Sequence, residues 1–375
     1  MRKICKVRVN GEEFSANCGD LLLDAALMNG VDIPHDCRSG YCGTCRVNLV
    51  SGRVFGGQDG SPDVVHACQC RVLSDLTIEV EDVPETGVEN GRVVGLVRLA
   101  PTVMEVSIAV SRPAEYLPGQ HYRVQFRGFP ARCYSPTFPL EGPHDETIMR
   151  FHISRVPDGR VSPALGREIR IGHRVKLTGP LGTAYLRPDH PGRLVLVASG
   201  TGFAPMWSVA LAAIVERRDR EIVFVIGARN LRSLYMGRAL CRLARFPNIT
   251  IMPVVSETQT ISNAVRTGRP TDYMPTLSSS EVIYTAGAPV MVESVAQIAR
   301  AAGVVCYTDP FAPETRQSEQ RSFFAQAAAW LGSESPPLVP DSPAQATPPL
   351  QPVQPASAGR DMVSSMQDYY DRGPI

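Results

Sequence analysis

The sequence predicts three folded modules in series: a cysteine-rich α+β unit, an antiparallel β unit and a parallel α/β unit, followed by a tail that builds no core. Three observations predict this. Seven of the ten cysteines fall within residues 1–84. Between residues 91 and 178 the apolar residues come in short runs separated by turn residues, the spacing of a small barrel. From residue 193 the runs become continuously apolar, with helical stretches between most of them, as in a parallel sheet covered on both faces.

Size and charge narrow the classes. A chain of 375 residues, 43% apolar and 20% charged, is long enough for two or three domains with cores of their own. The formal charge is +1, so neither nucleic acid nor an acidic membrane surface is an expected partner. The charge is unevenly spread, at −4 over residues 1–84, +4 over 85–190 and near neutral thereafter. The longest near-continuous apolar stretch, residues 204–215, is too short to cross a bilayer as a helix. The first eight residues alternate charged with apolar and lack the apolar run of a signal peptide. A cytoplasmic, monomeric protein is expected, whose cysteines bind metal or do redox chemistry rather than form disulfides.

In the first module, residues 3–9 alternate as a strand and Asn10-Gly11 is a two-residue hairpin signal. Residues 21–29 have helical composition and stop at Gly30, a C-cap. Residues 76–80 close the module as a strand, and the Pro- and Gly-punctuated segment 82–87 is the linker. The β unit has runs at 91–99, 105–110, 121–126, 148–153 and 174–178. The α/β unit has buried-type strands at 194–198, 221–226, 249–251 and 281–284. After Phe311, residues 314–331 could form one helix. Residues 335–357 then carry eight prolines, a composition that stays extended or disordered.

Cys37, Cys42 and Cys45, with Cys68 downstream, have the C-x4-C-x2-C…C spacing of plant-type [2Fe–2S] sites. Three thiolates come from one loop, where Gly40 and Gly43 let backbone amides approach the sulfurs. A zinc ribbon would want two C-x2-C pairs, and the second pair here is Cys68-Gln69-Cys70 with Cys37 left over. Spacing does not choose between Cys68 and Cys70 as fourth ligand. In the β unit, Arg132-Cys133-Tyr134-Ser135 supplies a cation for phosphate, an aromatic face and a hydroxyl. Gly159-Arg160-Val161-Ser162 follows. In the α/β unit a buried strand leads into Ser199-Gly200-Thr201-Gly202 and a helix beginning near Pro205, a turn that brings pyrophosphate against backbone amides.

These motifs, in this order, resemble the reductase components of bacterial ring-hydroxylating dioxygenases and related multicomponent oxygenases. The resemblance covers about 310 of the 375 residues. It implies a β-grasp ferredoxin domain at 1–84, a six-stranded FAD-binding barrel at 88–187 and an NAD(P)-binding domain at 191–312, leaving 313–375 as the tail. The Ala67-Cys68-Gln69 context then favours Cys68 as fourth ligand. Arg132 would bind the flavin phosphate, Tyr134 would stack on the isoalloxazine, and Ser135 would hydrogen-bond near N5. Residues Gly159 to Ser162 would hold pyrophosphate at a helix start.

In the nucleotide domain the resemblance maps a C-G-x-P-x-M element onto residues 286–291, with Ala286 replacing the usual cysteine before Gly287. Arg229, Arg232 and Ser233 fall where the adenine ribose should sit, which leaves NADH against NADPH open. The domain order favours NADH. Phe311 is the candidate aromatic cover of the flavin. The implied mechanism is a hydride from the nicotinamide to FAD, then single electrons through the cluster to an oxygenase, directly or via a separate ferredoxin. The same chain of cofactors could serve a di-iron monooxygenase or a deoxysugar dehydratase. Alternatively the protein is a non-catalytic relay that docks through its tail.

Overall fold

The computed structural model describes residues 3–35, 38, 40, 44–58, 63–80, 86–140, 142–187, 190–257 and 265–311. Cys37, Cys42, the 82–85 part of the linker, and both the helix and the Pro-rich segment expected in the tail lie outside the described residues.

The first sheet starts with a hairpin of β1 (Ile4–Val9) and β2 (Glu12–Asn17). Asn10 and Gly11 take φ of +46° and +98°, the two positive values a type I′ turn requires. Helix α1 (Leu22–Met28) buries Leu22, Leu23, Ala25 and Ala26 on this sheet, and the chain turns away at Gly30 with φ +76°. There follow β3 (Arg46–Ser51), β4 (Val54–Phe55), β5 (Val64–His66), β6 (Arg71–Val72) and β7 (Leu76–Glu79). The five-stranded order is β2-β1-β7-β3-β5, with β1 and β7 parallel, while β4 and β6 pair separately.

The second sheet is antiparallel and comprises β8 (Gly87–Ala100), β9 (Val103–Val110), β10 (His121–Phe126), β11 (Arg132–Tyr134), β12 (Pro136–Thr137), β13 (Ile148–Ser154) and β14 (Arg174–Leu181). Its order is β11-β10-β14-β8-β9-β13-β12. The two outermost strands are consecutive in the chain with Ser135 alone between them, so the sheet curls until its edges meet at one residue. Seven strands pair where six were expected. Pro136 has no N–H with which to continue the β11 ladder, and the chain changes partner there, from β10 to β13. Val93, Val106, Ile108, Val124, Phe126, Phe151, Val175 and Leu177 fill the inside.

The third sheet is wholly parallel: β15 (Leu194–Ser199), β16 (Ile222–Ala228), β17 (Ile249–Val255), β18 (Arg266–Thr267), β19 (Val282–Gly287) and β20 (Val305–Pro310). The order β18-β17-β16-β15-β19-β20 reverses direction between β15 and β19. Helices α2 (Phe203–Glu216) and α3 (Gly237–Leu243) pack on one face and α4 (Pro289–Ala301) on the other. Helix α2 begins at Phe203 after a 3-10 turn at Gly200–Gly202, so Pro205 is its third residue rather than its first. A first-turn N–H has no intrahelical acceptor, so a proline costs nothing there either.

Helix α2 is buried on nearly every side because it is held between its own sheet and the barrel. Thr137 Oγ1 donates to the Ala204 carbonyl at 2.9 Å, and Phe138 N donates to Ser208 Oγ at 3.3 Å. His152 of β13 meets Tyr235 Oη at 3.2 Å. These bonds fix the barrel seam against the carboxyl ends of the parallel strands. Among the described residues no helix is long and apolar enough to cross a membrane.

Candidate functional site

Cys45 and Cys68 lie side by side because of strand pairing. Arg46 faces His66 across β3 and β5, and the Ala67 N–H donates to the Cys45 carbonyl at 2.8 Å. Both cysteines are buried, at 2% and 6% exposure. The backbone fits a cluster loop drawn in tightly: Gly40 has φ +72°, and a Cβ there would lie 2.8 Å from the Gln69 side chain. Gln69 Nε2 in turn donates to the Arg38 and Cys68 carbonyls at 3.0 and 2.9 Å. Burial pushes the Cys70 thiol up to about 12. Cys70 is wholly buried in the core of the first sheet, with its Sγ turned to the Ala67 carbonyl at 4.0 Å.

In the barrel, Arg132, Tyr134 and Ser135 follow one another along the seam. Tyr134 is half-buried against the barrel core, and Arg132 Nη1 donates to the Ala131 carbonyl at 2.7 Å. Ser135 is buried, and its Oγ donates to Asp309 Oδ2 of β20 at 3.0 Å. Gly159 sits in a tight loop where a Cβ would meet the Val156 carbonyl at 3.1 Å and Ser162 Oγ at 3.4 Å. The expected helix at Gly159, Arg160, Val161 and Ser162 is only a 3-10 turn, Ser162–Ala164. The Ser162 hydroxyl is engaged within the loop, accepting from Val156 N at 2.9 Å.

The carboxyl ends of β15 and β19 lie at the point where strand order reverses, which is where open α/β sheets bind ligands. Glycine is needed on both walls. A Cβ on Gly202 would lie 2.1 Å from the Ala286 carbonyl, and one on Gly287, at φ +125°, would lie 2.4 Å from the Ser199 carbonyl. Ser199 Oγ also accepts from Ala288 N at 2.9 Å, closing the base. Gly200 and Thr201 lead into α2. Phe311 is at the same mouth, its N–H donating to the Gly287 carbonyl at 2.7 Å. Arg229 and Arg232 are exposed at the end of β16, and Ser233 bonds to Asn230 through both its N–H and its hydroxyl.

Three residues of this region carry no motif. Asp309 is buried at 8% exposure; burial raises its carboxyl above the usual range, and His121 and the Ser135 hydrogen bond partly offset this. His121 is buried at the start of β10, against Gly182, where a Cβ would lie 2.7 Å from its Nδ1. Glu257, beyond β17, accepts from Asn230 Nδ2 at 3.0 Å and so brings a carboxylate to the loop of Arg229 and Ser233. Asp309 lies in the Tyr307–Phe311 stretch and His121 in the Leu117–Tyr122 stretch before the Arg132 motif, whereas no sequence signal points to Glu257.

Three family profiles match in the order of the sheets: a 2Fe-2S iron–sulfur cluster binding domain over residues 7–73, an oxidoreductase FAD-binding domain over 91–185 and an oxidoreductase NAD-binding domain over 196–297. The chain is 33% identical over 326 residues to the ferredoxin–NAD(P)+ reductase component of a naphthalene 1,2-dioxygenase system from Pseudomonas putida, covering 82% of this chain and 98% of that one. It belongs to that family of reductase components. Solved structures agree across the same span. The ferredoxin reductase of carbazole 1,9a-dioxygenase matches at 25% identity and a TM-score of 0.58, covering 83% of this chain and 99% of that one. A cytochrome P450 reductase of Amycolatopsis matches at 28% and 0.60, covering 82% and 99%. This reductase is thus an NAD(P)H-dependent flavin and iron–sulfur oxidoreductase with domains for a [2Fe-2S] cluster, FAD and NAD.

Proposed function

We propose that this reductase supplies electrons from NADH to a Rieske-type aromatic-ring oxygenase, directly or through a separate ferredoxin. One observation carries the reading. β20 joins the two halves of the site: Asp309 accepts from Ser135 at the barrel seam, and Phe311, the residue after β20, donates its N–H to the Gly287 carbonyl at the glycine-walled turn.

Cys37, Cys42, Cys45 and Cys68 would hold the cluster. Arg132, Tyr134, Ser135, the loop Gly159, Arg160, Val161 and Ser162, and Phe311 would hold FAD on a barrel counted as six strands once β11 and β12 are taken as one. Gly200, Thr201, Gly202 and Gly287 would hold the nucleotide diphosphate, with Arg229, Arg232 and Ser233 around its adenine ribose. FAD held there would supply two-electron hydride acceptance coupled to one-electron release, the conversion that a one-electron [2Fe-2S] cluster requires.

The protein's own groups prepare the site. The Ser135 hydroxyl donates to Asp309 and is thereby fixed at the seam, and burial lets Asp309 keep its proton to a higher pH than an ordinary carboxylate. Glu257 favours NADH, since a carboxylate bonds ribose hydroxyls and repels a 2′-phosphate. The folded modules span 1–84, 88–187 and 191–312 in a cytoplasmic monomer. The test is substrate oxidation by a purified aromatic-ring oxygenase with NADH, with and without an added ferredoxin. Coupled NADH oxidation and ring hydroxylation support the reading. NADH oxidation that never yields hydroxylated product with any oxygenase of that class, while a P450 accepts the electrons, overturns it.

A further inference from the structure

Tyr307 lies two residues before Asp309 on β20, and side chains two apart on a strand share a face about 7 Å from one another. Asp309 reaches the barrel seam, and Tyr307 reaches the ferredoxin domain. Its ring is buried, stacked on Tyr284 with centroids 5.2 Å apart. From the segment that follows the barrel's last strand, the Arg187 guanidinium lies 3.8 Å from the Tyr307 centroid and 3.6 Å from that of Tyr185. Arg187 is itself fixed: its N–H donates to Tyr284 Oη at 2.9 Å, and its Nη1 donates to the carbonyls of Thr183 and Tyr185. From the ferredoxin domain, Arg46 places its guanidinium 5.6 Å from the same Tyr307 ring. Arg46 directly follows Cys45.

Two cations, one from the ferredoxin domain and one from the segment joining the barrel to the parallel sheet, therefore meet one aromatic ring of that sheet. Beside them the cluster-side residues Pro34, Thr44 and Arg46 face the barrel rim Gln120, Pro180, Leu181, Gly182 and Thr183 across a cleft. Cation–π contacts gain strength when the ring is removed from water, as this one is.

We propose that Arg46, Tyr307 and Arg187 form a docking clamp that holds the cluster edge of the ferredoxin domain against the flavin domain. These are positioning residues. Each electron leaves the reduced flavin and reduces the oxidised cluster, and the clamp sets how often the two domains are aligned for that step without touching the hydride transfer that precedes it. The inference rests on the reductase reading above.

The experiment uses the full-length holoprotein and anaerobic rapid mixing with NADH, following flavin reduction and cluster reduction separately. Arg46→Gln and Arg187→Gln should leave the flavin reduction rate within about twofold and slow cluster reduction roughly tenfold, which is about 1.4 kcal/mol of docking. Arg46→Lys and Tyr307→Phe should restore most of the rate, because the cation and the ring face remain. Because Arg46 adjoins Cys45, the cluster's EPR spectrum and midpoint potential are measured for every variant, and Arg187→Gln tests the clamp from outside the ferredoxin domain. A readout independent of turnover is amide hydrogen exchange, which should rise across residues 44–46 and 183–187 in both Gln variants. Unchanged cluster reduction and exchange in both variants would overturn the clamp, whereas a parent protein whose flavin NADH does not reduce would instead overturn the reductase reading.

Discussion

Ser135 donates its hydroxyl to the Asp309 carboxylate at 3.0 Å, tying the single residue where the barrel's edges meet to the last strand of the nucleotide sheet. The two are 174 positions apart in the chain. Burial raises the Asp309 carboxyl above its ordinary 3.8. The fold therefore favours the protonated form. The associated stability is fully present below pH 3.8 and is lost as pH rises through the raised value. Asp309→Asn should be more stable than the parent at pH 7, with the two curves converging below pH 4. Denaturant melts at several pH values measure this, and a variant less stable at pH 7 would contradict it.

Cys68 and Cys70 should behave oppositely. Cys68→Ser is expected to lose the iron–sulfur absorption and EPR signal while retaining flavin. Cys70→Ser, at a buried thiol held about 12, should retain both and lose only some stability. Loss of the cluster in Cys70→Ser with retention in Cys68→Ser would reverse the assignment.

Gly287→Val should weaken nucleotide binding. Its Cβ would fall 2.4 Å from the Ser199 carbonyl and 2.5 Å from Ser199 Oγ, at a φ of +125° that a β-branched residue resists. The expected result is a KM for NADH raised about tenfold or more, with about 1–3 kcal/mol of stability lost to backbone strain. Flavin and cluster spectra should be unchanged. Steady-state kinetics with an artificial acceptor measure the first effect.

His144 gives the protein an acid-sensitive point. Desolvation first, and then Arg150, lower its imidazole from 6.5 to about 4, with Asp145 opposing and the Phe138 ring packed edge-on at 5.0 Å. The fold binds the neutral ring, so its contribution is complete above pH 6.5 and is lost as pH falls towards 4. At 1.36 kcal/mol per pH unit the ceiling is about 3 kcal/mol. His144→Leu should flatten the stability profile between pH 6.5 and 4 relative to the parent, and an identical slope in both proteins would remove the effect.

Local features of the fold were legible in the sequence and long-range ones were not. The hairpin at Asn10-Gly11, the helix stop at Gly30 and the apolar strands of the parallel sheet all depend on residues adjacent in the chain, so period and turn chemistry reveal them. The split of one barrel strand into β11 and β12 depends on which neighbours pair on either side of Ser135, and periodicity carries no such information. The same holds for the site. Cysteine spacing and glycine turns are local. Asp309, His121 and the Arg46–Tyr307 contact acquire meaning only from elements that fold together across more than a hundred residues, and Glu257 only from the pairing of neighbouring strands 27 residues apart.

Electron flow from nucleotide through flavin to cluster is tested by an anaerobic absorption titration of the holoprotein with NADH, repeated with NADPH. Flavin and iron–sulfur absorption should both bleach, with NADH the more effective donor. A flavin that bleaches while the cluster stays oxidised, or cofactors that neither nucleotide reduces, would contradict it.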